Sequence, residues 1–433
     1  MPLRASSAPA AAPHHPHRDD ADHPARQGRQ AARPSAPDRC RPRTRASAVT
    51  WPQQVGDLLH PLEDYTRLHA ATLRRHGGRV LDLSFPNPRF LHDARPYEVL
   101  AELAARTDPL DLRYSPFGGY TSVRLRIAAA LARAHDQPYT WKSIIMTAGA
   151  TAALSVTLRT LFTPPERVML ITPCWMDYPL YLAERGLGCD LVPAAGDKRL
   201  DLAAIEHAWT PLTRALIISQ PVSPTGIVYR DEELRALATL LQQLSPEHPA
   251  VLIADEAHRD QVWATTSCPA PAAHYPHTIT VYSFGKAWQM PGQRAGYIAT
   301  SPQLAPCLDA PRRLEQGMRL TGHAAPAALL QHLAAALCDV SFDLTGLADL
   351  QRHARGELAK YGVDVLPGDA TRFVYARCPT GDLPTFVSAL AQRGVLVLPS
   401  TVFHEPGWFR ISLNTPEPEM SQAARIISEV AHA

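Results

Sequence analysis

Residues 278–286 read TITVYSFGK: six residues rich in β-branched and aromatic side chains, without polar–apolar alternation, and a lysine three positions beyond the last of them. An apolar run of this length predicts a strand covered on both faces, the habit of parallel sheets. Six more runs of the same kind lie at 143–147 (SIIMT), 168–172 (VMLIT), 189–193 (CDLVP), 215–219 (ALIIS), 251–255 (VLIAD) and 296–300 (GYIAT). Helical patterns separate several of them, as over 231–243. The alternation predicts an α/β fold, with a large domain built on a mainly parallel seven-stranded sheet flanked by helices. A helical region from 301, strand-like segments at 372–377 and 395–399 and a last helix from 417 predict a second, smaller α/β domain. An amphipathic stretch through Leu58, Leu59, Leu62, Tyr65, Leu68 and Leu73 has helical spacing and is expected to complete it.

The expected division is therefore a leader over 1–51, an N-terminal arm and part of the small domain over 52–112, the large domain over 113–310, and a connecting helix with the rest of the small domain over 311–433. The leader is rich in Pro, Arg, His and Ala and has almost no aliphatic periodicity, so it is expected to stay unfolded. Its arginines admit a transit-peptide reading, but Asp19, Asp20, Asp22 and the many prolines speak against one. No internal repeat is visible.

The 433 residues are 45% hydrophobic and 19% charged with a net charge of +2, which indicates a globular protein and excludes wholesale disorder. That balance offers no basic domain for a nucleic acid, and no apolar run is long enough to span a bilayer. The seven cysteines are scattered without a CxxC pair, so neither a disulfide framework nor a metal site is expected, and the protein reads as cytoplasmic.

Ligands in open α/β sheets bind beyond the carboxyl ends of the strands, so the residues that follow each strand outline the site. After SIIM come Thr147, Ala148, Gly149, Ala150 and Thr151 opening a helix, a cradle of free N–H groups for an anion. VMLIT is followed by Pro173, Cys174 and Trp175, an aromatic plane, and ALIIS by a rigid turn through Ser223, Pro224, Thr225 and Gly226. VLIA leads to Asp255, Glu256, Ala257 and His258; TITVY leads to Ser283 and Lys286, with Arg294 eight residues on. The chain holds only four lysines, Lys142, Lys198, Lys286 and Lys360, so a lysine at that strand end is a rare choice.

The constellation resembles the pyridoxal-phosphate enzymes of fold type I, class I/II, the aspartate aminotransferase superfamily. The motifs are Tyr114 with Gly119, Leu125 and Arg126; TAGATAAL from Thr147; PCWMDYP from Pro173; SPTG from Ser223; DEAH from Asp255; SFGK from Ser283 with PGQRAGY from Pro291; and FRISL from Phe409. The resemblance runs from about Leu83 to the last helix. It implies pyridoxal 5′-phosphate as cofactor, an α-amino acid and a 2-oxo acid as substrates, and a homodimer with shared active sites. The reaction it implies is transamination, with β- or γ-elimination or replacement on the same activated carbon as the alternative.

Residue by residue, the resemblance makes Lys286 the catalytic lysine, which holds the cofactor's aldehyde carbon and then carries the substrate proton. It sets Asp255 opposite the pyridine nitrogen and Trp175 on the ring. Ala150, Thr151, Ser283, Arg294 and, from the neighbouring subunit, Tyr114 go to the phosphate. Arg410 takes the substrate α-carboxylate and Asn87 lies in a substrate loop. Two positions depart from the pattern: Ser223 stands where asparagine is usual and His258 where tyrosine is usual, both facing the cofactor's phenolic oxygen. His258 can still donate from a ring nitrogen, and DE-x-H is similar to the cystathionine β-lyase-like branch of the superfamily. Arg312, Arg313 and Arg319 are candidates, by position only, for reading a substrate side chain.

Overall fold

The structure, a computed structural model, describes residues 53–90, 93–106, 113–263, 268–304 and 309–433. The leader of 1–51, Cys40 and Cys307 lie outside the described residues. Among the described residues twelve strands form: β1 (Leu81–Asp82), β2 (Ile144–Thr147), β3 (Arg167–Thr172), β4 (Gly188–Pro193), β5 (Thr213–Ser219), β6 (Val251–Asp255), β7 (Thr278–Ser283), β8 (Gly296–Thr300), β9 (Phe373–Arg377), β10 (Val395–Leu396), β11 (Leu398–Pro399) and β12 (Trp408–Ser412). Strands β2 to β8 build one seven-stranded sheet in the order β2-β8-β7-β6-β5-β3-β4. All pairings within it are parallel except those of β8, which runs antiparallel to both β2 and β7.

The sheet is buried on both faces, as the unalternating runs require. Val168, Leu170, Ala215, Ile217 and Ile253 pack on one side with Ala153, Leu154 and Leu158 of the helix Ala150–Leu161. Their sequence neighbours Met169, Ile171, Leu216, Ile218 and Leu252 face the other way, onto Leu234, Leu237 and Leu241 of the helix Asp231–Leu244. Successive strand side chains point to opposite faces, so each run supplies two cores at once.

A three-stranded antiparallel sheet, β11-β12-β9, and a parallel pair, β1-β10, stand apart from the large sheet. The single strand expected over 395–399 is two strands in different sheets: β10 pairs with β1, and β11 with β12. Among the described residues, the helical region expected from 301 holds three helices, Ala310–Leu320, Ala328–Leu337 and Thr345–Lys360. The N-terminal amphipathic helix spans Gln53–His76 and the last helix Glu417–Ala431.

Candidate active site

Strands β2, β3, β5, β6 and β7 all end at one edge of the large sheet. Because β8 runs the other way, its start reaches the same edge, with Gly296 opposite Thr147 and Ser283. Arg294, two residues before Gly296, is thereby carried to the ends of strands that precede it in the chain. A cleft of about 700 Å³, its open mouth included, lies along this edge. It is lined by Ala150, Thr151, Leu154, Trp175, Tyr178, Ser219, Ser223, Asp255, Ala257, His258, Ser283, Lys286 and Arg294. Nine residues singled out from sequence therefore meet in one cavity.

Lys286 lies just past β7, in the single helical turn Phe284–Ala287, rather than on the strand itself. Burial pushes its amine down, the neighbouring Arg410, Arg372 and Arg294 push it further, and Asp255 only partly resists, leaving it at about 8. Asp255 is the last residue of β6 and is tied by two donors: the Tyr178 hydroxyl at 2.6 Å and the Ala257 N–H at 3.0 Å. Burial still raises its carboxyl, against the opposing pull of Tyr178, Ala257 and Lys286.

At the other end of the cleft the helix Ala150–Leu161 begins without a side-chain cap, so its first N–H groups are free for a ligand. Gly149 precedes it at φ 85° and ψ 176°, a conformation essentially restricted to glycine. A Cβ there would sit 2.6 Å from Arg294 Nη2, so the missing side chain is what lets the guanidinium approach the helix start. Ser283 lies buried beside it at the end of β7.

His258 belongs to a relay. The Gln261 amide N–H₂ donates to the Lys286 carbonyl at 2.9 Å, which turns Gln261 Oε1 toward His258 Nδ1 at 2.8 Å. Nδ1 must then donate, and Nε2 keeps a lone pair. Burial, with the charges of Lys286, Arg372 and Arg410, drives the imidazole to about 3, so it is neutral. The donor role expected for this histidine is thus reversed at Nε2.

Arg410, on β12, is 1% exposed. Its Nη2 donates to the Ser84 carbonyl at 3.1 Å and its guanidinium lies 4.0 Å over the Phe373 ring. Phe373 in turn meets His258 edge-on at 5.6 Å, so Arg410 adjoins the cleft without lining it. Asn87 is exposed three residues beyond Ser84, outside the cleft lining. Tyr114 is fully exposed and lines a surface depression with Arg312 and Arg319; these arginines and Arg313 do not line the cleft. Sequence reasoning missed Tyr178, quoted inside PCWMDYP but given no role, as well as Ser219, Gln261 and Arg372. A charged residue opening the apolar run RFVYA was the one signal for Arg372.

Fold and cleft together define the fold type I architecture, with a lysine and a carboxylate at the ends of adjacent central strands. The chain belongs to the aminotransferase class I and II family, which it matches over residues 79–427. It is 27% identical over 331 residues to a probable aspartate/prephenate aminotransferase of Aquifex aeolicus, covering 73% of this chain and 83% of that one. Histidinol-phosphate aminotransferase 2 of Ralstonia nicotianae is 29% identical over 346 residues, covering 78% and 86%. An aminotransferase crystal structure from Eubacterium rectale superimposes with a TM-score of 0.80 at 23% identity, covering 86% of this chain and 97% of that one.

Proposed function

We propose that this chain binds pyridoxal 5′-phosphate in the cleft and transfers the amino group of an α-amino acid to a 2-oxo acid. The observation that carries the reading is the pairing of Lys286, a partly buried amine near neutrality, with the Asp255 carboxylate across one cavity. The donor set fits the cofactor. A buried carboxylate raised by desolvation is suited to a protonated ring nitrogen, Trp175 offers a ring face, and the free helix start with Arg294 and Ser283 offers an anion site.

When bound, the cofactor supplies a conjugated ring that takes up the electron pair released as the substrate Cα–H bond breaks. The chain's residues do the rest. Ala150 and Thr151 N–H groups, Ser283 and Arg294 would hold the phosphate; Asp255, oriented by Tyr178, would hold the ring nitrogen; Ser223 and His258 would face the phenolic oxygen. Arg410 grips the α-carboxylate through Nε and Nη1, which are buried and have no partner among the described residues. That grip orients the Cα–H bond toward Lys286, and the substrate loop that carries Asn87 lies three residues beyond Ser84, whose carbonyl Arg410 holds. With its amine at about 8, Lys286 has a neutral fraction at physiological pH and can take that proton and return it.

The same proposal includes a large domain over 113–310 and a small one from 52–112 and 311–433, supported by the separate seven- and three-stranded sheets. It includes a cytoplasmic homodimer, supported by the exposed Tyr114 and by five described cysteines that are all free.

The test is to incubate the purified protein with single amino acids, with and without a 2-oxo acid, and to follow keto acid and ammonia. Keto acid that appears only with the acceptor supports transamination; ammonia released without it overturns the reading. Borohydride followed by peptide mapping is expected to mark Lys286; a label on Lys142, Lys198 or Lys360 defeats the assignment. Sedimentation is expected to give twice the chain mass.

A further inference from the structure

Of the chain's four lysines, Lys142 and Lys360 are exposed and Lys286 lies in the cleft. The fourth, Lys198, is 8% exposed, in the turn between β4 and the helix Leu202–Ala208. Its Nζ donates to Glu405 Oε1 and lies 4.8 Å from the centre of the Trp408 ring. The other carboxylate oxygen, Oε2, accepts from the Tyr375 hydroxyl at 2.7 Å. The Tyr375 ring stacks on Trp408, 5.3 Å away and 1° from parallel. Replacing a buried ion pair by packed apolar side chains is often neutral for stability, so stability alone gives no reason for a lysine here.

Glu405 ends a turn that reaches both sides of the proposed reaction. Phe403, two residues before it, lays its ring 4.9 Å from the Arg410 guanidinium, which also lies over the Phe373 ring. The Phe403 carbonyl accepts from the Cys174 N–H at 3.2 Å, and His404 Nε2 donates to the Met176 carbonyl at 3.1 Å. Cys174 and Met176 are the two chain neighbours of Trp175, which lines the cleft. Tyr375 is opposite Arg410 in the β9–β12 pairing and Trp408 precedes Arg410 by two residues, so all three share one face of the three-stranded sheet. Residues 403–405 therefore join the flanks of Trp175 to the rings that border Arg410, and the contact to Lys198 is the charged one of the three. His404 stands at φ 62° and Lys198 at φ 66°, backbone that residues with a Cβ keep only where their surroundings hold them.

Resting on the aminotransferase reading, we infer that Lys198 is a positioning residue: through Glu405 it pins the turn 403–405 and so sets where Arg410 stands relative to Trp175. Lys198 does not line the cleft, so it acts through the turn and not on the ligand. A guanidinium holds a carboxylate by two parallel bonds, a geometry that tolerates little tilt. Releasing the turn weakens that hold before and during the reaction alike, which raises KM and leaves kcat.

The experiment compares wild type, K198M, K198R, E405Q and the double variant K198M/E405Q as holoenzymes, in half-reactions with the amino acid that wild type uses best. K198M is expected to raise KM about 10-fold or more with kcat within about 3-fold, the scale of a misaligned contact rather than a deleted one. It should retain cofactor like wild type in dialysis, and K198R should recover part of the loss. The double variant should lose no more than about what K198M loses, because the two residues act as one unit. Aminooxyacetate and methoxyamine carry the same reactive group and differ by a carboxylate. In K198M the first should bleach the visible absorbance about 10-fold more slowly than in wild type, and the second within about 2-fold.

Equal slowing of both reagents, a fall in kcat at unchanged KM, or wild-type kinetics in K198M overturns the inference. So do additive losses in the double variant, which break the link through Glu405. A lowered melting temperature with both reagents slowed alike makes the pair a packing contact. Should wild type transaminate nothing, the aminotransferase reading falls separately, and calorimetry of propionate on the cofactor-free protein decides the pin: weaker binding in K198M upholds it and equal binding overturns it.

Discussion

His258 and Lys286 show how far single residues in this cleft are set by their neighbours. Gln261 leaves His258 Nε2 as an acceptor, so the phenolic oxygen of a bound cofactor gains no hydrogen bond from it. A donor at that oxygen would weaken its hold on the neighbouring nitrogen's proton. His258→Tyr is therefore expected to lower the pH midpoint of the holoenzyme's visible absorbance by about one unit, whereas His258→Phe should titrate like wild type. A wild-type midpoint matching the tyrosine variant would show that His258 donates after all. Lys286 predicts a stability change in the cofactor-free protein. Between about 8 and its ordinary 10.5 the unfolded chain holds a proton that the folded chain lacks, so stability rises with pH across that window. Urea melts should show wild type gaining on the order of 3 kcal/mol over Lys286→Met from pH 7.5 to 10.5. Parallel pH profiles would place the amine in water.

The anion cradle is a property of an element junction rather than of any one side chain. β2 must stop, turn through Gly149 and start a helix within three residues, while β8 brings Arg294 in from the opposite direction. Gly149→Ala forces a Cβ into a glycine-only conformation and against the guanidinium. It should cost about 1–3 kcal/mol of stability in urea melts. It should also weaken cofactor retention at least about tenfold by equilibrium dialysis, the effect of displacing one charge-assisted contact. Unchanged retention would move the phosphate elsewhere. This junction was legible because its parts are consecutive: an apolar run, a glycine, then small helix formers. The β1-β10 pair was not. Two-residue strands carry no periodicity, and Val395 and Leu398 look like one run until their partners assign them to different sheets.

Across the whole molecule, a buried ion cluster joins the sheet to the layer that covers it. Glu256, directly after Asp255, meets His135 of the helix Thr121–His135 at 2.9 Å and Arg259 at 3.1 Å. Burial pushes its carboxyl up, yet His135 and Arg259 together bring it below the ordinary value. The folded protein therefore holds this carboxylate more tightly ionised than the unfolded chain. The stability this confers is complete above about 4.5 and is lost as pH falls through the depressed folded value. Glu256→Ala, which removes the carboxylate that His135 and Arg259 share and leaves Arg259 only the Asp260 carboxylate at 3.6 Å, is expected to cost about 3–5 kcal/mol by urea unfolding at pH 7 and to flatten the acid limb. A cost under about 1 kcal/mol would mean that water reaches the cluster.

The sequence by itself determined the seven strands, the helices between them and the edge where the chemistry gathers, because each rests on contiguous residues whose spacing carries the signal. The tertiary structure alone decided what joins across distance. It set the reversed run of β8 that delivers Arg294, the Gln261 relay that sets the tautomer of His258, and the meeting of Arg372 and Arg410 near Lys286. Such charges answer to neighbours scores of residues away in the chain, and burial, which gives them their energy, exists only once the chain has closed around them.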